Sequence, residues 1–324
     1  MPNNPYLSIV VAGRNDNYGE DFLPRFQIFI NNQFYLWEKY RIRAELIIVE
    51  WNPPSGGLGL KNALRWPRAL SSGSVRIIEV PARIHEALPH PPKQVFFEYY
   101  AKNVGARRAK GQYVLATNTD LLFSEALGAY FGKEVLKENS FYRVDRHDVS
   151  RGALVSSMDP ETQLTLSAKN TFSVQNKYGA AFLLNEHWWG GRNLWRMATY
   201  AKNIIKFFPY PPPYMNAAGD FFLMPKRAWS QLRGYPEIGP HYAYPDALCF
   251  SPLAAGMKQV ALKYPICIYH QDHERGGAET GRPKSDFLAN RGLYLTMLKT
   301  HAPWVPGAPG WGLADEAFKE EIIL

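Results

Sequence analysis

The stretch from Asn103 to Phe123 reads Asn-Val-Gly-Ala-Arg-Arg-Ala-Lys-Gly-Gln-Tyr-Val-Leu-Ala-Thr-Asn-Thr-Asp-Leu-Leu-Phe. Its pattern predicts the end of a helix, a turn at Gly111 and a buried strand from Tyr113 to Ala116. Asp120 then lies between this strand and another apolar run. A lone carboxylate in such surroundings is costly unless something binds it. Because ligands sit at the C-terminal ends of strands in open α/β sheets, Asp120 is the first candidate for ligand binding.

Further strands are predicted toward the N-terminus, at Leu7–Ala12, Leu46–Val49 and Val75–Val80, and a helix is predicted at Val95–Lys110. Strands that alternate with helices favour an α/β fold with a mostly parallel sheet.

Polar or acidic residues follow three of these strands: Asp16, Glu50 with Asn52, and Asp120. Each could simply form a turn. Together at one edge of a sheet, they indicate a nucleotide crevice.

The composition is that of a globular protein. The chain has 324 residues, 46% hydrophobic and 20% charged, which is enough for one large α/β domain. No apolar run approaches the roughly 20 residues of a membrane span, no secretory signal is visible, and Cys249 and Cys267 form no disulfide framework. We therefore expect a cytoplasmic protein.

The chain is basic, with a formal net charge of +8 at pH 7. Such a balance suits phosphorylated ligands, nucleic acid or an anionic membrane surface. No long Lys/Arg block or nucleic-acid motif is present, so we expect no nucleic-acid partner.

Two common glycine motifs are absent. Gly56-Gly57-Leu58-Gly59 lacks the Gly-Lys-Ser/Thr ending of a phosphate loop, and Ala12-Gly13-Arg14-Asn15 lacks the spaced glycines of a dinucleotide fold. The second absence counts against a nicotinamide-dependent oxidoreductase.

The second half of the chain is less regular in pattern. Residues 150–187 predict irregular structure, and Leu194–Phe208 predicts a helix with one apolar and one basic face. That helix is consistent with ordinary packing on the core, or with peripheral contact at the inner face of a membrane through residues 192–208.

The C-terminal third carries the remaining candidates. Asp220 precedes a predicted strand that runs to Met224, and Asp246 begins a predicted helix. A strand at Ile266–Tyr269 ends in His270-Gln271-Asp272-His273. Two histidines flanking an acid are as consistent with metal ligation as with a structural role.

Over about residues 6–275 the chain resembles the nucleotide-sugar-dependent glycosyltransferases of the GT-A fold, in particular the family 2 group. The resemblance lies in the opening Leu7–Asp16 segment, the pattern Asn103-x-Gly105-x-x-x-Ala109-x-Gly111 leading to Asn118-Thr119-Asp120, and Gly234-Tyr235-Pro236-Glu237 followed by Asp246. Tyr269-His270 closes the pattern. Two positions depart from the family: Asn118 stands where it has the first Asp of its Asp-x-Asp motif, and Pro245 stands where a Glu precedes the base.

The resemblance implies a GT-A-type α/β fold, with a mostly parallel central sheet flanked by helices and an irregular acceptor-side half. It implies a nucleotide-sugar-binding half at 1–125, an acceptor and catalytic half at 126–282, and a C-terminal helical extension at 283–324.

The resemblance also implies roles for individual residues. A divalent Mn²⁺ or Mg²⁺ ion is expected on Asp120 and His270. Asp246 is expected as the base that deprotonates the acceptor, with Asp220 as second choice. The residues expected to bind the nucleotide sugar are Ala12, Arg14, Asp16, Glu50, Asn52, Asn103, Asn118 and Thr119.

The implied activity is transfer of a sugar from a nucleotide donor to a glycan, lipid-linked or other hydroxyl acceptor. Inversion of the anomeric configuration is favoured over retention. Two alternatives stay open. A nucleotidyltransferase would have a glycine-rich basic loop after the first strand, which Gly13-Arg14-Asn15-Asp16 matches poorly. A binding protein of the same fold that has lost turnover is favoured by Asn118 and Pro245.

Overall fold

The computed structural model describes most of the chain. The described residues are 4–68, 70, 73–90, 92–182, 198, 200–202, 204–205, 208–210, 213–237, 245–274, 287–305 and 309–324, with the backbone alone at 180–182, 245–247 and 287–291.

Eleven strands are found among these residues, and they join into one sheet. They are β1 (Leu7–Gly13), β2 (Ala44–Trp51), β3 (Ser74–Val80), β4 (Tyr113–Thr117), β5 (Leu121–Phe123), β6 (Ser140–Val149), β7 (Thr171–Asn176), β8 (Gly179–Phe182), β9 (Phe221–Pro225), β10 (Lys258–Gln271) and β11 (Lys319–Ile322).

Nine helices have described bounds. They are α1 (Phe22–Tyr40), α2 (Leu60–Ala63), α3 (Ala82–Ala87), α4 (Glu98–Arg108), α5 (Glu125–Gly132), α6 (Pro160–Lys169), α7 (Lys226–Leu232), α8 (Pro245–Ala254) and α9 (Phe287–Thr300).

The strand order is β11-β3-β2-β1-β4-β9-β6-β10-β5, with the β7–β8 hairpin attached to β6. Strands β3, β2, β1 and β4 are parallel, and so are β6 and β10. Strand β9 is antiparallel to both β4 and β6, so the two parallel groups point the same way. The predicted α/β class with a mostly parallel central sheet flanked by helices is confirmed.

This topology brings one end of many strands to one edge. The C-terminal ends of β1, β2, β4, β6 and β10 lie there because these strands share a direction. The antiparallel strands β9 and β5 start at the same edge, with Phe221 opposite Thr117 and Leu121 opposite His270. The residues around these strand ends form the candidate site.

The core consists of two apolar layers, one on each face of the sheet. On β1, Ile9 and Val11 pack with the phenylalanines of α1, whereas Val10 packs on the other face with Val104 of α4. This alternation follows from the period of two in a β-strand. The buried face of α1 carries the apolar side chains Phe22, Phe26, Ile30, Phe34 and Trp37.

Gly105 permits the close approach of α4 to the sheet. A Cβ built at this position would overlap Cγ1 of Val10 and lie 3.2 Å from Cγ2 of Val49, and both valines are fully buried. Part of the motif that carries the family resemblance is therefore a packing requirement.

We predict that Gly105→Ala destabilises the fold by about 1–3 kcal/mol, as overpacking of a core does. The overlap outweighs the helix-propensity gain of about 1 kcal/mol from replacing glycine. Urea unfolding measures the change. Gly292→Ala in α9, where a Cβ would meet nothing within 4 Å, is the control and should be neutral or stabilising. Equal free energies of unfolding for Gly105→Ala and wild type would contradict the packing account.

The second half is more regular than its sequence pattern indicated. Between residues 150 and 182, which we expected to be irregular, the chain forms α6 and the β7–β8 hairpin. Asp159 caps α6 by accepting a hydrogen bond from the backbone N–H of Thr162, and Pro160 occupies the first turn.

The described part of the C-terminal segment contains the helix α9 and a strand. After α9, strand β11 pairs antiparallel with β3 and covers the edge of the sheet. The predicted helix at 194–208, with its basic face, lies mostly outside the described residues.

Candidate functional site

Asp120, His270 and His273 form a compact cluster at the C-terminal edge of the sheet. Each offers a ligand atom, and these atoms lie within 4.8 Å of one another. The Asp120 Oδ2 atom is 3.1 Å from Nε2 of His273 and 3.5 Å from Nε2 of His270. The side chains are 17%, 8% and 7% exposed for Asp120, His273 and His270 respectively, so the cluster is shielded from bulk water.

The strand register explains this proximity. Asp120 lies in the short connection between β4 and β5, and its carbonyl accepts a hydrogen bond of 2.9 Å from the backbone N–H of Gln271. His270 is the residue before Gln271 and pairs with Leu121 across β5 and β10. Asp120 and His270, which are 150 positions apart in the chain, thereby lie next to each other where β5 pairs with β10.

Both imidazoles are held so that Nε2 faces Asp120. The Nδ1 atom of His273 lies 2.9 Å from the carbonyl oxygen of Glu274, which can only accept a hydrogen bond. The Nδ1 atom of His270 lies 3.1 Å from Oδ1 of Asp148. With Nδ1 carrying the hydrogen in both rings, the neutral form of each presents an Nε2 lone pair toward Asp120.

The charges of the cluster are strongly coupled. Burial alone would lower the pKa of His270, but the carboxylates of Asp120 and Asp148 override it and raise this pKa to about 9. Burial would raise the pKa of Asp120, but His270 and His273 hold it well below its usual range. Without a bound cation, the cluster is therefore a carboxylate paired with an imidazolium at neutral pH.

A divalent cation fits this arrangement. The Oδ1 atom of Asp120 is buried, and no described residue hydrogen-bonds to it. One carboxylate and two imidazoles are ligands that Mn²⁺ or Zn²⁺ accepts, and an unpartnered buried oxygen is costly without such a partner. Asp120 and His270 were predicted as ligands. His273 was noted with His270 as one of two histidines flanking an acid, but it was not assigned as a ligand.

A network of charged groups continues from His270 into the protein. Asp148 accepts from His270 and pairs with Arg146 at 2.8 Å, and Arg146 pairs with Oδ2 of Asp220 at 2.6 Å. These side chains are 7–13% exposed. Arg146 and Asp148 were missed from the sequence, where Arg146-His147-Asp148 reads only as a polar strand segment.

Asn118, the departure from the Asp-x-Asp pattern, belongs to this network. Its Oδ1 accepts a hydrogen bond from the fully buried ammonium of Lys102, and its Nδ2 donates to Oδ1 of Asp220 at 2.9 Å. Lys102 also donates to Glu98 at 2.5 Å and to the carbonyl of Gly219 at 2.8 Å. Each end of the Asn118 amide thus has a protein partner. The amide oxygen faces Lys102 because the lysine ammonium can only donate hydrogen bonds.

The loops after β1 and β2 are tied together at the same edge. Arg14 donates from Nε to the carbonyl of Asn52 at 2.6 Å and pairs with Asp16 at 2.6 Å. Both side chains remain partly exposed, at 16% for Arg14 and 23% for Asp16. Thr119 is half-buried beside Asp120, and Ala12 is buried in β1. Five predicted donor-binding residues thus lie along one edge.

Two predicted donor-binding residues are engaged inside the protein. Asn103 is fully buried and bonds to the backbone N–H and C=O of Tyr235 and to Oε1 of Glu237. Glu50 is 4% exposed, its pKa is raised by burial, and its Oε1 accepts from the backbone N–H of Leu60 at the start of α2. In this structure Asn103 joins α4 to the segment before α8, and Glu50 holds the loop after β2.

The two predicted catalytic carboxylates have different surroundings. Asp220 precedes β9 and is paired with Arg146 and Asn118, as described above. Asp246 lies in the first turn of α8, in the part of the chain where the structure describes the backbone alone.

An aromatic and histidine cluster supports the loop that carries Asn52. The indole N–H of Trp51 donates to Nδ1 of His85 at 3.1 Å, so Nδ1 must be the accepting nitrogen and Nε2–H donates to the carbonyl of Gln94 at 2.9 Å. Asn52 in turn donates from Nδ2 to the carbonyl of Val95. His85 is therefore held as a neutral imidazole, and burial lowers its pKa.

We predict that His85 makes stability depend on pH below about 6.5, the pKa of unfolded histidine. The folded state resists protonation of His85, so this contribution is fully present above that pH and is lost as the pH falls below it. Urea unfolding between pH 5 and 7.5 should show a shallower slope for His85→Phe than for wild type. Parallel profiles for the two proteins would rule out this role.

Comparisons with known proteins give a distant structural likeness only. No known protein family matches the sequence, and no curated protein does. Among solved structures, the chain is similar to the catalytic domain of Drosophila β1,4-galactosyltransferase 7 in complex with xylobiose, with a TM-score of 0.40 and 10% sequence identity. The match covers 83% of this chain and 71% of that chain. A likeness at this level says nothing about activity.

The described helices include none that is both long and apolar enough to cross a membrane.

Proposed function

We propose that the protein is a metal-dependent glycosyltransferase that transfers a sugar from a nucleotide donor to a hydroxyl acceptor. The observation that carries the proposal is the cluster of Asp120, His270 and His273, with the unpartnered Asp120 Oδ1, at the C-terminal edge of a mostly parallel sheet. In open α/β sheets this edge is where nucleotides bind.

The leaving group in such a transfer is a nucleoside diphosphate. A cation held by Asp120, His270 and His273 would stabilise the negative charge that develops on the departing phosphates. Arg14, at the end of β1 and partly exposed, is a second positive group at this edge. The net charge of +8 favours the approach of a polyphosphate.

Asn52, Asp16 and Thr119 offer polar atoms along the same edge and are proposed to contact the ribose, base and sugar of the donor. Asp246 is proposed as the base that accepts the proton of the acceptor hydroxyl. Asp220 is proposed to orient groups rather than to act as that base, because Arg146 and Asn118 already engage both of its oxygens.

Thermal stability tests the donor site. A nucleoside diphosphate with Mn²⁺ at 100 times its Kd should stabilise the protein by about 2.7 kcal/mol, which is about 4 °C in Tm for a chain of this size. The panel is UDP, GDP, CDP, ADP and dTDP, each with and without Mn²⁺. If none of these nucleotides shifts Tm under either condition, the proposal is wrong.

Donor hydrolysis separates an enzyme from a binding protein of the same fold. Wild type should release the nucleoside diphosphate from one nucleotide sugar of a panel, and an acceptor should accelerate this release. Asp246→Asn should lower acceptor-dependent release while keeping the Tm shift with the diphosphate. A Tm shift with no release above the Asp246→Asn background would favour the binding protein.

A further inference from the structure

Asp148 is buried next to the cluster of Asp120, His270 and His273 but is not part of it. Its Oδ1 lies 3.1 Å from Nδ1 of His270 and 2.8 Å from the Arg146 guanidinium, and its Oδ2 accepts from Nε2 of Gln175 at 3.2 Å. Both carboxylate oxygens are therefore engaged by protein donors. Asp148 contacts the cluster through His270 and is not itself one of the clustered side chains.

The strand register fixes this contact. His270 and Asp148 are paired residues on the parallel strands β10 and β6, so their side chains leave the same face of the sheet as neighbours. Arg146, two residues earlier on β6, points to the same face and bridges Asp148 to Asp220. The position of the Asp148 carboxylate is thus set by a strand pair and two hydrogen-bonded partners.

We propose that Asp148 is a positioning residue of the metal site, which directs Nε2 of His270 at the cation and makes this imidazole a stronger ligand. This inference rests on the proposed metal-dependent function.

The charges of the neighbouring groups support this assignment. Asp120 is the one carboxylate among the three clustered side chains, and the other two are imidazoles. A carboxylate that accepts the Nδ1–H of a metal-bound imidazole makes the imidazole more basic and fixes its orientation. Asp148 makes this contact with His270, whereas His273 is held by the backbone carbonyl of Glu274.

Mn²⁺ binding, followed by electron paramagnetic resonance of the free ion, tests the proposal without measuring activity. Asp148→Asn keeps the shape of the side chain and removes its charge, and we expect Mn²⁺ to bind about 10–100-fold more weakly, as loss of such outer partners typically causes. Arg146→Lys keeps a positive charge but cannot bridge the Asp148 and Asp220 carboxylates in the same geometry. This variant should weaken Mn²⁺ binding less than Asp148→Asn does.

Glu45→Gln is the matched control. Glu45 is also a buried carboxylate paired with an arginine, Arg76, but it lies near the start of β2, at the opposite edge of the sheet. Its loss should lower stability and leave the Mn²⁺ affinity unchanged. Equal weakening of Mn²⁺ binding in Asp148→Asn and Glu45→Gln would indicate a general loosening of the fold and would contradict the positioning role of Asp148.

Nitrogen-15 NMR of the imidazoles in the wild-type protein gives a second readout that needs no folded variant. With Zn²⁺ as a diamagnetic probe, the His270 signals should show protonated Nδ1 and metal-bound Nε2. Metal bound at Nδ1, or wild-type Mn²⁺ affinity in a folded Asp148→Asn protein, overturns the proposal and leaves the metal site intact. Absence of Mn²⁺ and Zn²⁺ binding by wild type overturns both this proposal and the metal-dependent function.

Discussion

Asp120→Asn is expected to abolish Mn²⁺ binding and with it the nucleotide-dependent rise in Tm. Asp120 is the carboxylate of the cluster, and its Oδ1 is a buried atom to which no described residue hydrogen-bonds. A bound cation contributes several kcal/mol to stabilising a departing diphosphate, so metal-dependent donor turnover should fall roughly 100-fold or more.

Asp272→Asn is the matched control for this variant. Asp272 lies between the two histidines in sequence and its loss changes the local charge by the same amount, but it is not one of the three clustered residues. Mn²⁺ binding, measured by calorimetry, should remain near wild type in this control. Retention of wild-type Mn²⁺ affinity by Asp120→Asn would place the metal elsewhere.

The second large effect is expected from introducing an Asp-x-Asp motif at positions 118–120, as in the glycosyltransferases that the sequence resembles. Asn118→Asp should destabilise the protein, because the new carboxylate would face the Asp220 carboxylate across a 2.9 Å contact in which Asn118 now donates. Leaving a buried acceptor without its donor costs about 1–3 kcal/mol, and like charges add to that cost. Attraction to Lys102 offsets part of this loss of stability, since the Lys102 ammonium already donates a hydrogen bond to Oδ1 of Asn118.

The same variant should not tighten Mn²⁺ binding, since side chain 118 is oriented by Lys102 and Asp220. The double variant Asn118→Asp/Asp220→Asn restores one amide opposite one carboxylate and should recover part of the lost stability, as a double-mutant cycle measures. A stable Asn118→Asp protein with tighter Mn²⁺ binding would instead show that Asn118 is a weakened metal ligand.

The sequence was most informative where a residue follows a buried strand. Asp16, Asn52 and Asp120 could be placed at one edge because strands that alternate with helices run parallel, and topology then fixes which ends meet. Short apolar runs predicted most of these strands to within two residues.

The motif around Asn103 shows the limit of such reasoning. Asn103 and Gly105 belong to a pattern associated with donor binding, yet in the structure Asn103 joins buried backbone groups and Gly105 makes room for Val10. A sequence pattern cannot separate residues that contact a ligand from those that pack the elements carrying the ligand site.

The sequence by itself determined the fold class, the candidate carboxylate at Asp120 and the histidine at the end of β10, because these depend on local periodicity and on the direction of strands. The tertiary structure decided which groups surround them. The pairing of His270 with Asp148, the bridge of Arg146 to Asp220 and the orientation of Asn118 by Lys102 all depend on the register of β10 against β6 and on how closely α4 approaches the sheet. Register and helix approach are set by packing over the whole sheet, which no local stretch of sequence encodes.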